Sequence, residues 1–182
     1  GFAQEAAEQA AQLSEEFPDF MGVYDFLGEL HERNGELAQA LTYYERADSI
    51  APDNLRRMRY IGELCLESGD AERAAAVMRK VIARTEGSSL ACADDHLTLI
   101  KSLVSLPEAD TELVQRMNEM RTMLGEGERT TVISDIVEAR RCSQRGDDEG
   151  ARRAVDSALE AHGRLRTPDA LATSELAEAC FR

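Results

Sequence analysis

The sequence predicts an all-α fold built from antiparallel helix pairs that follow one another along the chain. Three observations carry this. Ala, Leu, Glu and Arg dominate, which are good helix formers, and β-branched alternation is absent. Only four prolines occur, Pro18, Pro52, Pro107 and Pro168, which leaves long uninterrupted stretches between them. Finally, LGELHERNG at 27–35 returns as IGELCLESG at 61–69, 34 residues later.

A 34-residue frame starting at Met21 and again at Leu55 organises both stretches. Large apolar residues recur at its fourth, seventh and twenty-fourth positions: Tyr24 and Met58, Leu27 and Ile61, Tyr44 and Met78. Small residues recur at its eighth and twentieth positions: Gly28 and Gly62, Ala40 and Ala74. Position 27 holds Ala47 and Val81. Small residues let two helices approach closely, and the large ones fill the space that remains. Gly35 and Gly69 end the first helix of each pair, and Asp70 can cap the helix that follows. Each pair then keeps an apolar face for its neighbour to cover.

The elements can be justified in chain order. Pro18 in FPDF stands 34 residues before Pro52 in APDN, and Ala6 and Leu13 align with Ala40 and Ala47. Residues 3–20 therefore read as half a repeat, with its second helix over 3–16. The chain opens Gly1-Phe2-Ala3 without Met or a signal-peptide pattern, so it reads as a fragment with sequence missing upstream. Residues 21–54 and 55–88 are complete pairs. SLACA at 89–93 is an insertion. A degenerate pair spans 94–127, with Leu97, Ile100, Val104, Leu113, Met117 and Met120 at packing positions and Asp110 or Thr111 as a cap. Met123 continues that methionine row, either toward a core or toward an adaptable surface. GEGERTT reads as a loop. A pair-like segment spans 132–165, with Gly146-Asp147 repeating the turn signal and Asp135 breaking the apolar pattern. Residues 169–181 supply a closing helix. The whole chain, 1–182, reads as one repeat domain.

This pattern resembles the tetratricopeptide repeat, with its aromatic, Leu-Gly, aromatic, Ala, aromatic, Ala and Pro over 34 residues. The match departs at His31 and Cys65, which replace an aromatic, and at Glu86, which replaces the closing Pro. The resemblance implies a right-handed superhelix, an α-solenoid whose first helices line a concave groove able to hold a peptide or helix. It places Asp25, Phe26 and Glu29 of one repeat and Arg56, Arg59, Tyr60 and Glu63 of the next in that groove. Phe26 and Tyr60 share a frame position, as do Glu29 and Glu63. That juxtaposition suits a partner with apolar or basic residues, and equally suits aromatics packed on a neighbouring helix beside solvated glutamates. Some co-chaperones of the family grip a terminal carboxylate with Lys and Asn where this chain has Asp25 and Glu29. The reversed charge argues against that activity here.

Charge and motifs exclude several functions. Asp plus Glu number 35 against 21 Lys plus Arg, a net charge of −14. Nucleic acid and anionic membranes both want the opposite sign. No apolar run approaches the roughly 18 residues of a membrane span. Phosphate loops, nucleophile elbows and zinc-protease motifs are missing, so no enzyme and no cofactor is expected. Cys65, Cys92, Cys142 and Cys180 lack metal-ligand spacing and read as small buried side chains in a reducing cytosol. His96 with Asp94 and Asp95 reads as a helix start with acidic caps rather than a metal or phosphoryl site. The expected function is a non-catalytic protein–protein interaction scaffold that binds a partner in its groove. The alternatives are an output module of a bacterial two-component response regulator, whose receiver domain would precede Gly1, and a homodimerisation module.

Overall fold

A recurring local device sets where the helices stop. Gly69 adopts φ +85°, the left-handed conformation that closes a helix without a Cβ penalty. Its amide donates to Leu66 O (3.0 Å), and that of Asp70 donates to Cys65 O (2.8 Å), the paired bonds of a Schellman stop. The same two bonds form at Gly35 and at Gly146. Asp70 then caps the next helix by accepting from the Arg73 amide, and Asp147 does the same for the Gly150 amide.

The computed structural model describes residues 2–106 and 108–165, with 172, 173 and 176. Its helices are α1 (Phe2–Glu16), α2 (Met21–Arg33), α3 (Leu37–Ile50), α4 (Leu55–Glu67), α5 (Ala71–Thr85), α6 (Ala93–Val104), α7 (Asp110–Leu124), α8 (Glu128–Gln144) and α9 (Asp148–Gly163). No strand occurs among the described residues. Pro107, Pro168, Cys180 and most of the expected closing helix at 169–181 lie outside the described residues. Ala172, Thr173 and Leu176 are helical.

Contacts divide the chain into two compact units, one up to Ala91 and one from Cys92. In the first, each helix from α1 to α5 packs on the next. Ala40, Tyr44, Ile61, Leu64, Cys65 and Ala74 form its main core, and Ala10, Val23 and Leu27 a second cluster beneath α1. The frame positions do this packing: Leu27, Ala40, Ala47, Ala74 and Val81 are all buried. Gly28 explains itself by close approach, because a Cβ there would stand 2.7 Å from the Tyr44 ring. Leu13, in contrast, is 43% exposed although it aligns with the fully buried Ala47. Ala10, one helical turn earlier, takes the place against α2 instead.

In the second unit, α6 packs on α7 and α8 packs on α9, with α6 and α7 both meeting α8. Val132, Ile136, Ala158, Ala161, Ala172 and Leu176 share one cluster. Met117 and Met120 are buried, whereas Met123 is 43% exposed. Two expectations need correction here. Neither Asp110 nor Thr111 caps α7: Ala109 holds that position with no side-chain cap, and Arg141 of α8 and Arg145 just after it both donate to the Asp110 carboxylate, at 3.1 and 2.6 Å. Nor is GEGERTT all loop. α8 begins at Glu128, and the buried Thr130 hydroxyl donates to Gly125 O (2.6 Å), tying the helix start to the end of α7.

Candidate partner-binding face

The expected site residues all belong to α2 and α4, and the structure treats them unequally. Asp25 is held by a buried cation. Arg57, only 2% exposed, donates from Nε and Nη2 to the two Asp25 oxygens at 2.8 and 2.9 Å. Its Nη1 donates to Ala51 O (2.6 Å) and lies 3.7 Å from Asp48. The Asp25 bonds raise the pKa of Arg57 against the opposing effect of burial. This planar two-point grip braces α2 against α4. Arg57 went unanticipated, since an arginine in a helix reads as a solvated charge by default.

Glu29, Arg56 and Tyr60 are brought together. Arg56 donates to Glu29 (3.3 Å) and to the Tyr60 hydroxyl (3.2 Å), with its guanidinium 5.4 Å from the Tyr60 ring centre. Tyr60 in turn stacks on Tyr44, with ring centres 5.4 Å apart and planes at 15°. The Tyr44 hydroxyl donates to Glu32 (2.9 Å). Burial first, and then Glu32, push the Tyr44 phenol above its usual pKa, so it stays a donor. A continuous chain of contacts thus runs from Glu29 through Arg56, Tyr60 and Tyr44 to Glu32. Tyr44 completes it from a frame position assigned to packing, and Glu32 from one that the 34-residue frame turns toward the groove.

Three expected residues remain. Phe26 of α2 is 43% exposed. Arg59 is half-buried and donates to Leu90 O (3.0 Å) in the segment that follows α5, and Glu63 is exposed on α4. The resulting face presents an exposed phenyl ring at Phe26 and two carboxylates, Asp25 and Glu29, that arginines already engage. Such a surface can bind by apolar burial and directional hydrogen bonds.

A second cluster lies in the other unit. His96 of α6 is buried, and its Nδ1 sits 3.6 Å from Glu119 Oε2 of α7 without a hydrogen bond among the described residues. Gln115 and Arg116 donate to the two Glu119 oxygens, each at 2.8 Å. Burial lowers the His96 pKa, so the neutral ring is favoured. Asp95 is buried beside it while Asp94 is exposed, so the acidic pair does not converge on one face with the imidazole. No group of three metal-ligating side chains occurs among the described residues. No helix among them is long and apolar enough to cross a membrane.

Two tetratricopeptide repeat models match the chain, one over residues 31–91 and one over 1–54, so that together they span the first unit. The crystal structure of MamA is similar in fold, with a TM-score of 0.63 at 13% identity over 87% of both chains. No curated protein matches the sequence. The Gly28–Tyr44 and Gly62–Met78 approaches and the glycine stops at Gly35 and Gly69 lie within the matched residues. The chain belongs to the tetratricopeptide repeat family, whose members are generally non-catalytic protein-interaction modules.

Proposed function

We propose that this protein is an interaction scaffold whose α2/α4 face forms the groove for a partner peptide or helix. The exposed Phe26 ring carries the reading. It stands at the frame position that Tyr60 occupies on α4 and is 43% exposed. Next to it, Glu29, Arg56 and Tyr60 are already held in place, so a partner would lose little side-chain freedom on binding. Arginine already satisfies Asp25 and Glu29, which shifts the expected partner toward an apolar anchor with hydrogen-bonding flanks rather than a purely basic tail. The free thiols of Cys65, Cys92 and Cys142 suit a reducing cytoplasm.

A photo-reactive phenylalanine placed at position 26 in the native host tests this. A discrete protein adduct is expected, absent when the same group is placed at the exposed Glu72 of α5. Equal labelling from both positions would count against the α2/α4 face.

A further inference from the structure

We propose that the α1–α2 turn is a second docking site, for a segment of another protein that carries apolar residues flanked by Lys or Arg. The site is the pair of phenyl rings at Phe17 and Phe20, 55% and 60% exposed. The Phe20 amide donates to Phe17 O (3.0 Å), which closes a tight turn and sets the two residues side by side.

Three observations separate these rings from incidental exposure. The first is that the turn is pinned. Tyr24 of α2 donates to Pro18 O (3.1 Å), and Arg46 of α3 donates to the same oxygen (3.0 Å). The rings are therefore presented on a fixed backbone rather than on a loose loop, which lowers the ordering cost of binding.

A second observation is that the next repeat does without these rings. Thirty-four residues later the equivalent places hold Ala51 and Asn54. Asn54 caps α4 by accepting from the Arg57 amide (3.2 Å). Phe20 occupies the same capping place on α2, with φ −88° and ψ 91° against −75° and 108° at Asn54, yet supplies no cap. Its ring lies over the backbone of Gly22 and stays largely in water. The chain thus forgoes a helix cap and exposes a phenyl group in its place.

Charge supplies the third and defines the partner. Residues 1–32 contain no Lys or Arg, and Glu15, Glu16 and Asp19 flank the two rings, all exposed. Among the described residues Asp19 pairs with Arg46, at 3.9 Å, and its own side chain is 92% exposed. An apolar pair inside an acidic rim is complementary to an amphipathic basic segment.

The test uses the variant Phe17→Ala/Phe20→Asn, which copies the 51 and 54 positions. Two probes are titrated against labelled protein and followed by amide NMR: an 18-residue Leu/Lys amphipathic helix and its Leu/Glu counterpart. Saturable shifts at residues 13–21 are expected with the Leu/Lys probe alone. Affinity should fall at least about tenfold in the variant, as for a lost aromatic anchor, and also in Glu15→Lys/Glu16→Lys. The double variant should melt at the native temperature or roughly 4 °C higher, because Asn restores the cap. Phe26→Ala should bind the probe unchanged, which separates this site from the α2/α4 face. Undiminished binding in either double variant, equal binding of the Leu/Glu probe, or a lower melting temperature of Phe17→Ala/Phe20→Asn would overturn the proposal. So would sedimentation showing that the two rings hold a second copy of this chain.

Discussion

Arg57 on α4 reaches back to Asp25 on α2 and grips its carboxylate through two hydrogen bonds, at 2.8 and 2.9 Å, with the guanidinium almost wholly buried. Taking away the acid alone leaves a buried cation with Ala51 O, the Met21 sulfur and a distant Asp48 as its partners. The structure therefore predicts that Asp25→Ala destabilises the protein by about 2–3 kcal/mol, reduced from a fully buried pair because Asp25 is itself about one-third exposed. Asp25→Ala/Arg57→Met should recover part of that loss. Urea unfolding of the two variants is the measurement, and equal losses would show that the grip carries no special weight.

Gly28→Ala should cost about 1–3 kcal/mol. The new methyl would sit between 2.7 and 2.9 Å from three atoms of the Tyr44 ring. That ring cannot retreat freely, because it stacks on Tyr60 and its hydroxyl is bonded to Glu32. Thermal unfolding and a loss of near-ultraviolet dichroism from the stacked rings would both report the clash.

The His96–Glu119 cluster predicts a two-stage response to acid. Burial lowers the folded pKa of His96 below its unfolded value of 6.5, so below pH 6.5 the unfolded chain binds the proton more readily. Stability from this group is complete above that value and falls as pH drops from 6.5 toward the lower folded pKa. Glu119 is also held below its usual value. Burial opposes this, but the bonds from Gln115 and Arg116 outweigh it, so its contribution is lost as pH falls below about 4.5. Melting temperature plotted against pH should show both slopes in the native protein. His96→Leu should retain only the lower one.

The cysteines should separate by reactivity. Cys65 is fully buried, and burial with Asp70 nearby pushes its thiol up to about 11. Only the thiolate reacts, so Cys65 should resist iodoacetamide at pH 8 while the half-buried Cys92 is alkylated. Peptide mass spectrometry resolves the two sites, and urea should bring Cys65 to the rate of Cys92.

Much of this fold was legible in the sequence because its packing is local and periodic. Leu27, Ala40, Ala47, Ile61, Ala74 and Val81 are buried at the places a 34-residue frame assigns them. The weaker frame of the second unit still located Leu97, Ile100, Val104, Leu113, Met117 and Met120 in the interior. What escaped the pattern depends on partners distant in sequence. Arg57 is buried because Asp25, 32 residues away, makes burial tolerable. Asp110 gives its oxygens to Arg141 and Arg145, more than 30 residues on, rather than to a helix cap. The site face was legible only in part for the same reason. Spacing aligned Phe26 with Tyr60, but whether an aromatic is open or stacked is decided by a residue such as Tyr44 on another helix.

Tyr24, Tyr43, Tyr44 and Tyr60 all precede Ala91, and the chain has no Trp. The Tyr44–Tyr60 stack is consequently a built-in optical label for the first unit alone. Tyrosine emission and near-ultraviolet dichroism in the tyrosine band will follow residues up to Ala91, whereas far-ultraviolet dichroism follows the helices of both units. Superimposable melting curves at the two wavelengths would mean that the units unfold together. Displaced curves would assign each transition to its half of the chain without a single mutation.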